Sequence, residues 1–171
     1  MTAILLFALW GCAHPAPPAA AVAVDRAAPR AVPAPNPPRP LDREESAAVQ
    51  RLLPRDPEPT CAEVEAGLSQ PGPSLVKIAE QVVSPPWAGM RAATCAIERS
   101  ADPLIEAALM RWVLDPELAG LGLLAVNLLD RMPEEVAIRV AGTALEGPLS
   151  DRARDEIAGS AHQTVRALLL P

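Results

Sequence analysis

An all-α fold, a short α-solenoid carried behind a disordered Pro/Ala-rich linker, is what this sequence predicts, on three observations. From residue 41 onward apolar residues recur with helical period, and alternating β-branched runs are scarce. Helix-start signals and prolines cut that stretch into short segments. Similar segments then return at a near-constant interval. Pro85-Pro86-Trp87-Ala88-Gly89-Met90 matches Pro116-Glu117-Leu118-Ala119-Gly120-Leu121 at an offset of 31 residues (116 − 85), and Pro148-Leu149-Ser150 follows 32 residues on (148 − 116). A fixed interval holding paired helices marks stacked hairpins, because one hairpin cannot bury both its faces alone. An irregular helical bundle is the plainer alternative.

The elements follow in order. Asp42 caps a helix over 43–53, with Glu45 completing a capping box, and Thr60 with Glu63 repeats the pattern for a helix to about Leu68. Between them Pro54, Pro57 and Pro59 break the chain, so 41–59 reads as a short helix and connector and 60–171 as the repeat domain. Gly72-Pro73 predicts a turn. A helix over 74–83 should bury Leu75, Val76, Ala79, Val82 and Val83. After the Pro85–Met90 segment a helix runs through Ile97. Asp102-Pro103 then starts one to Leu114, burying Leu104, Ile105, Ala108, Leu109 and Trp112. The stretch 118–129 is apolar nearly all round, as for a helix with neighbours on several sides. Met132-Pro133-Glu134-Glu135 opens the next helix, to about Leu145, with its acids at the positive end of the dipole. Ser150-Asp151 caps a last helix reaching about Leu169.

Before this domain lie two different stretches. Residues 14–40 are mostly Ala, Pro and Val, and that density of proline excludes helix and central strand, so a disordered or polyproline-like spacer is expected. Residues 3–10 are apolar and end in Leu9-Trp10-Gly11-Cys12, too short a run to span a bilayer before His14-Pro15. Leu9-Trp10-Gly11-Cys12 resembles the lipobox of bacterial lipoproteins, although no Lys or Arg precedes the apolar run and Trp10 is bulky for its place. The resemblance implies a signal peptide over 1–11, lipidation at Cys12, and a 12–40 linker tethering the chain to a membrane of the bacterial cell envelope. Ala13 after the cysteine leans towards the outer membrane, facing the periplasm.

Val113-Leu114-Asp115-Pro116-Glu117 with Leu121, Leu124, Ala125 and Leu128, and one interval earlier Arg91-Ala92-Ala93 with Ile97 and Asp102-Pro103-Leu104, are similar to HEAT-like repeats. Gly120-Leu121-Gly122 departs from that pattern, since glycine weakens a helix by about 1 kcal/mol per residue. The resemblance implies a non-catalytic protein-binding scaffold whose second helices line an inner curve. Lys77, Glu80, Glu106, Arg111 and Arg139 then form a partner surface, with solvation as the ordinary alternative. Trp87, on a turn, is either packed or a partner anchor.

Charge and chemistry narrow the rest. The formal charge is −6, so nucleic acid is not an expected partner. Cys61 and Cys95 either form a disulfide or stand as two thiols. The histidines are His14 and His162 only, no cysteine pair has metal-ligand spacing, and no phosphate loop is present, so neither metal nor cofactor is expected. An envelope hydrolase with His162 as base, even with Cys61 or Cys95 as nucleophile, and a purely structural envelope protein remain the rival readings. Glu135 and Arg139 are spaced for an i,i+4 ion pair.

Overall fold

The computed structural model describes residues 39–170, and the expected signal, Cys12 and nearly all of the linker lie outside them. Among the described residues there are nine α-helices and no strand: α1 (Arg43–Leu52), α2 (Cys61–Glu65), α3 (Pro71–Gln81), α4 (Pro86–Glu98), α5 (Pro103–Leu114), α6 (Ala119–Asn127), α7 (Glu134–Glu146), α8 (Ser150–Gly159) and α9 (Gln163–Ala167). Short 3-10 turns, Pro116–Leu118 and Leu129–Arg131, flank α6. No helix among the described residues is long and apolar enough to cross a membrane.

Local chemistry sets the helix starts. Asp42 Oδ1 accepts from Glu45 N at 2.9 Å while Glu45 Oε2 accepts from Asp42 N at 2.8 Å. Thr60 and Glu63 do the same for α2. The Asp102 carboxylate accepts from Leu104 N at 2.9 Å. Each bond satisfies an amide that a helix terminus leaves without a partner.

Several expectations are corrected. Gly72-Pro73 is no turn: both residues lie in the first turn of α3, where the proline ring removes an amide that had no intrahelical acceptor. Helix α3 ends at Gln81, so Val83 is 80% exposed rather than buried. Leu104 is 66% exposed because the first turn of α5 points it outward, while Ile105, Ala108, Leu109 and Trp112 are buried as expected. The expected last helix is two, α8 and α9, separated at Ser160–His162. There the Asp130 carboxylate accepts from Ser160 Oγ at 2.6 Å and Ala161 N at 2.9 Å, which draws that amide out of the helical ladder.

The helices form two rows. Helices α1, α3, α5, α7 and α9 pack successively on one another, and α4, α6 and α8 do so beside them. Helices α1, α3 and α5 pack most closely with the next helix in the chain, α2, α4 and α6, while α7 packs on both α5 and α8. The tight hairpins are therefore shifted by one helix from the units that start at Pro85 and Pro116. Helix α1 packs on α2, α3 and α4, and Arg39 and Pro40, expected as linker, are held by α3, with Gln81 Nε2 donating to Arg39 O at 3.0 Å and Lys77 Nζ to Pro40 O at 2.9 Å.

Between the rows lies the core. Leu52, Leu75, Ile78, Ile97, Ile105, Leu109, Trp112, Leu129 and Ile157 are its largest sealed side chains. Two glycines let the rows close. A Cβ at Gly89 of α4 would stand 2.5 Å from the Val82 carbonyl, and one at Gly122 of α6 would stand 2.4 Å from that of Trp112. These are equivalent close approaches in consecutive hairpins.

Candidate partner-binding face

Five of the six residues expected on a partner surface stand on one row: Lys77 and Glu80 on α3, Glu106 and Arg111 on α5, Arg139 on α7. The structure brings them together as pairs across neighbouring helices. Lys77 Nζ lies 2.5 Å from Glu45 Oε2 on α1. Arg111 pairs with Glu80. Arg139 reaches Glu106 through two bonds, Nε to Oε1 at 2.5 Å and Nη2 to Oε2 at 2.9 Å. Arg139 thus takes Glu106 as its partner instead of Glu135, one turn away on its own helix. That hydrogen bond, with the charge behind it, holds the Glu106 carboxyl below the ordinary range against the opposing effect of burial, and raises the Arg139 guanidinium.

Glu80 has a second task. Its Oε1 accepts from Trp112 Nε1 at 2.6 Å, and Trp112 is completely buried. An indole N–H sealed in a core needs an acceptor, and a carboxylate at the rim supplies a strong one. The face therefore presents charges that already have partners. The Arg111–Glu80 and Arg139–Glu106 pairs are half open to solvent on the guanidinium side and add little stability singly, while Lys77–Glu45 is largely buried. Their effect is to fix side-chain geometry along the row.

Trp87 lies elsewhere. It opens α4, is half-buried, donates from Nε1 to Leu53 O at 3.3 Å, and carries the Arg55 guanidinium 3.8 Å above its ring. This is the packed placement, stacked under a cation from the α1–α2 connector.

Beside α4 the sequence reading missed a parallel set. Arg91 pairs with Glu58 at 3.0 Å, Arg99 with Glu65 at 2.9 Å, and Arg131 with Glu98 at 3.0 Å. Their sequence separations are 33, 34 and 33, close to those of the first row at 32, 31 and 33. An acid followed about one repeat later by a base was the available signal. Arg91, Thr94, Glu98, Leu124, Leu128 and Arg131 line a cleft of ≈ 550 Å³ whose wall includes Cys61 and Cys95. Those two sulfurs are bonded, joining α2 to α4 across a Cα–Cα distance of 5.3 Å.

Among the described residues no Ser, Thr or Cys side chain is hydrogen-bonded to the His162 ring. Ser160 and Asp130 are its neighbours, but Ser160 is 5% exposed and its hydroxyl donates to Asp130. His162 Nε2 is buried with no hydrogen-bond partner, and the His162 amide donates to Ser160 Oγ at 3.2 Å. A base that activates serine must accept that hydroxyl proton itself. Asp130 is held below the ordinary carboxylate range by the Ser160 hydroxyl first, with burial opposing and the Ala161 amide and His162 adding to it. The trio fastens the α8–α9 junction to the 3-10 turn Leu129–Arg131. Cys61 and Cys95, bonded to each other on α2 and α4, are not free thiols near it. Among the described residues no three His, Cys, Asp or Glu side chains are grouped to hold a metal ion.

No family model, curated protein or solved structure matches this chain.

Proposed function

We propose that this protein is a lipid-anchored lipoprotein of a bacterial envelope whose helical domain, a HEAT-like repeat array, is a non-catalytic scaffold for a protein partner. One observation carries the reading: acid–base pairs recur at separations of 31–34 residues on both rows and hold successive hairpins in one register. A surface fixed in that way binds without reordering its own side chains, which lowers the entropic cost of association. The row carrying Lys77, Glu80, Glu106, Arg111 and Arg139 is the partner face. Leu9-Trp10-Gly11-Cys12 and the proline-rich segment supply the anchor and the spacer. No DNA or RNA is involved, and the partner is a protein reached from the outer membrane on its periplasmic side.

Radiolabelled palmitate, incorporated by the wild type and not by Cys12→Ser, tests the anchor. Crosslinking from solubilised envelopes, with wild type and with a Glu106→Lys, Arg139→Glu exchange, tests the face. Equal recovery of one specific partner by both would reject it, as would recovery of none by the wild type. Replacing His162 with Ala separates this reading from a hydrolase: the scaffold keeps its partner and its phenotype.

A further inference from the structure

We infer that the Cys61–Cys95 bond is a thiol–disulfide exchange site, opened by a protein dithiol that enters the cleft beside it and thereby frees α2 from α4. The inference does not depend on a lipid anchor or on a partner for the other face.

The two ends of the bond are held unequally. Helix α2 has five residues, well below the length at which a helix stands alone in water. It packs chiefly on α1. It sends Val64 into the core, with Leu68 following it, and its remaining ties are polar: the Glu65–Arg99 pair, the Arg51 guanidinium on the Ala66 carbonyl, and Ser69 N on Glu44 Oε2 at 2.8 Å. Helix α4, by contrast, is clamped by α3 and α6 and buries Ala88, Ala92, Ala93, Ala96 and Ile97. Breaking the bond therefore releases one small element and leaves the two rows in place. The most weakly packed units of a fold open first.

Access selects the sulfur. Cys95 is 4% exposed, whereas Cys61 is half-buried, and the cleft of ≈ 550 Å³ reaches both. A partner thiolate attacks Cys61 Sγ; the new partner–Cys61 bond forms as the Cys61–Cys95 bond breaks, and the electron pair leaves on Cys95 Sγ, which takes up a proton. The partner's second thiolate then attacks the partner sulfur of the mixed disulfide and expels Cys61, which is protonated in turn. The partner dithiol is oxidised to a disulfide by two electrons, and Cys61 and Cys95 become thiols.

Full-length protein in detergent, treated with a thioredoxin and with a variant lacking its second cysteine, tests this. The expected results are reduction without denaturant, a trapped mixed disulfide mapping to Cys61, and amide exchange about tenfold faster or more across residues 54–70 while α3–α9 are unchanged. The Cys61→Ser, Cys95→Ser double variant reproduces that local pattern. A bond reduced only after denaturation, a trapped species on Cys95, or faster exchange throughout α3–α9 in reduced protein or double variant overturns the inference.

Discussion

Glu80 separates a structural role from a binding role more sharply than any other residue of the face. Its carboxylate caps the indole N–H of Trp112 at 2.6 Å and pairs with Arg111. Glu80→Ala leaves a donor sealed in the core without an acceptor, at a cost of about 1–3 kcal/mol. Loss of the Arg111 pair, whose guanidinium side is 50% exposed, adds at most about 0.5 kcal/mol after solvent screening. The sum is about 1–3.5 kcal/mol. For a domain of this size each kcal/mol moves Tm by roughly 3–5 °C, so a fall of about 3–17 °C is expected. Urea unfolding followed by circular dichroism measures it, with Arg111→Ala as the control, expected to lose no more than about 0.5 kcal/mol. A cycle with Trp112→Phe, which removes the donor and keeps a ring, should show coupling of at least about 1 kcal/mol between Glu80 and Trp112. Additivity in that cycle, or a Glu80→Ala loss no larger than that of Arg111→Ala, refutes the argument. It would return Glu80 to the set of residues free to meet a partner.

Gly122→Ala must move the Trp112 carbonyl or α6, since the added carbon meets that oxygen at 2.4 Å and Leu149 Cδ1 at 2.7 Å; a loss of about 1–3 kcal/mol in urea unfolding is expected. Gly120→Ala, with nothing within 4 Å, should stabilise by up to about 1 kcal/mol in the same assay. Asp130 has its folded-state pKa below the unfolded value, so its contribution is complete above the unfolded carboxylate range near 4 and is lost as pH falls through the lower folded value. The difference in urea midpoint between wild type and Asp130→Asn should hold from pH 7 to 5 and shrink by pH 3. The C-terminal break makes a further prediction: Ser160→Ala frees the Asp130 carboxylate from its first hydrogen bond, and amide exchange in α9 should rise while α3–α6 keep their protection.

The starts of α1, α2 and α5 were legible because their chemistry is local, whereas the cap expected at Ser150-Asp151 is not formed: α8 follows Leu149 with no side-chain cap. Asp42 with Glu45, and Thr60 with Glu63, are three residues apart, so the cap can be read without knowing what the helix packs on. The spacing of the helical segments was legible in outline and misaligned in detail. Matching Pro85–Met90 to Pro116–Leu121 sets Gly89 against Gly120, yet α4 and α6 begin 33 residues apart (119 − 86), and the glycine that meets a carbonyl as Gly89 does is Gly122. The 3-10 turn Pro116–Leu118 absorbs the difference. That requirement comes from the preceding helix's carbonyl, which no local resemblance reveals. The partner of each charge was hidden for the same reason: Arg139 has an acid four residues away and takes one 33 residues away instead. Read with the repeat interval, however, the charges become informative. Asp130 stands 30 residues before Ser160 and Glu134 30 before Thr164, as Glu106 stands 33 before Arg139. These hydroxyl–carboxylate bonds join neighbouring segments at an interval close to that of the ion pairs, and the first of them falls at the break between α8 and α9.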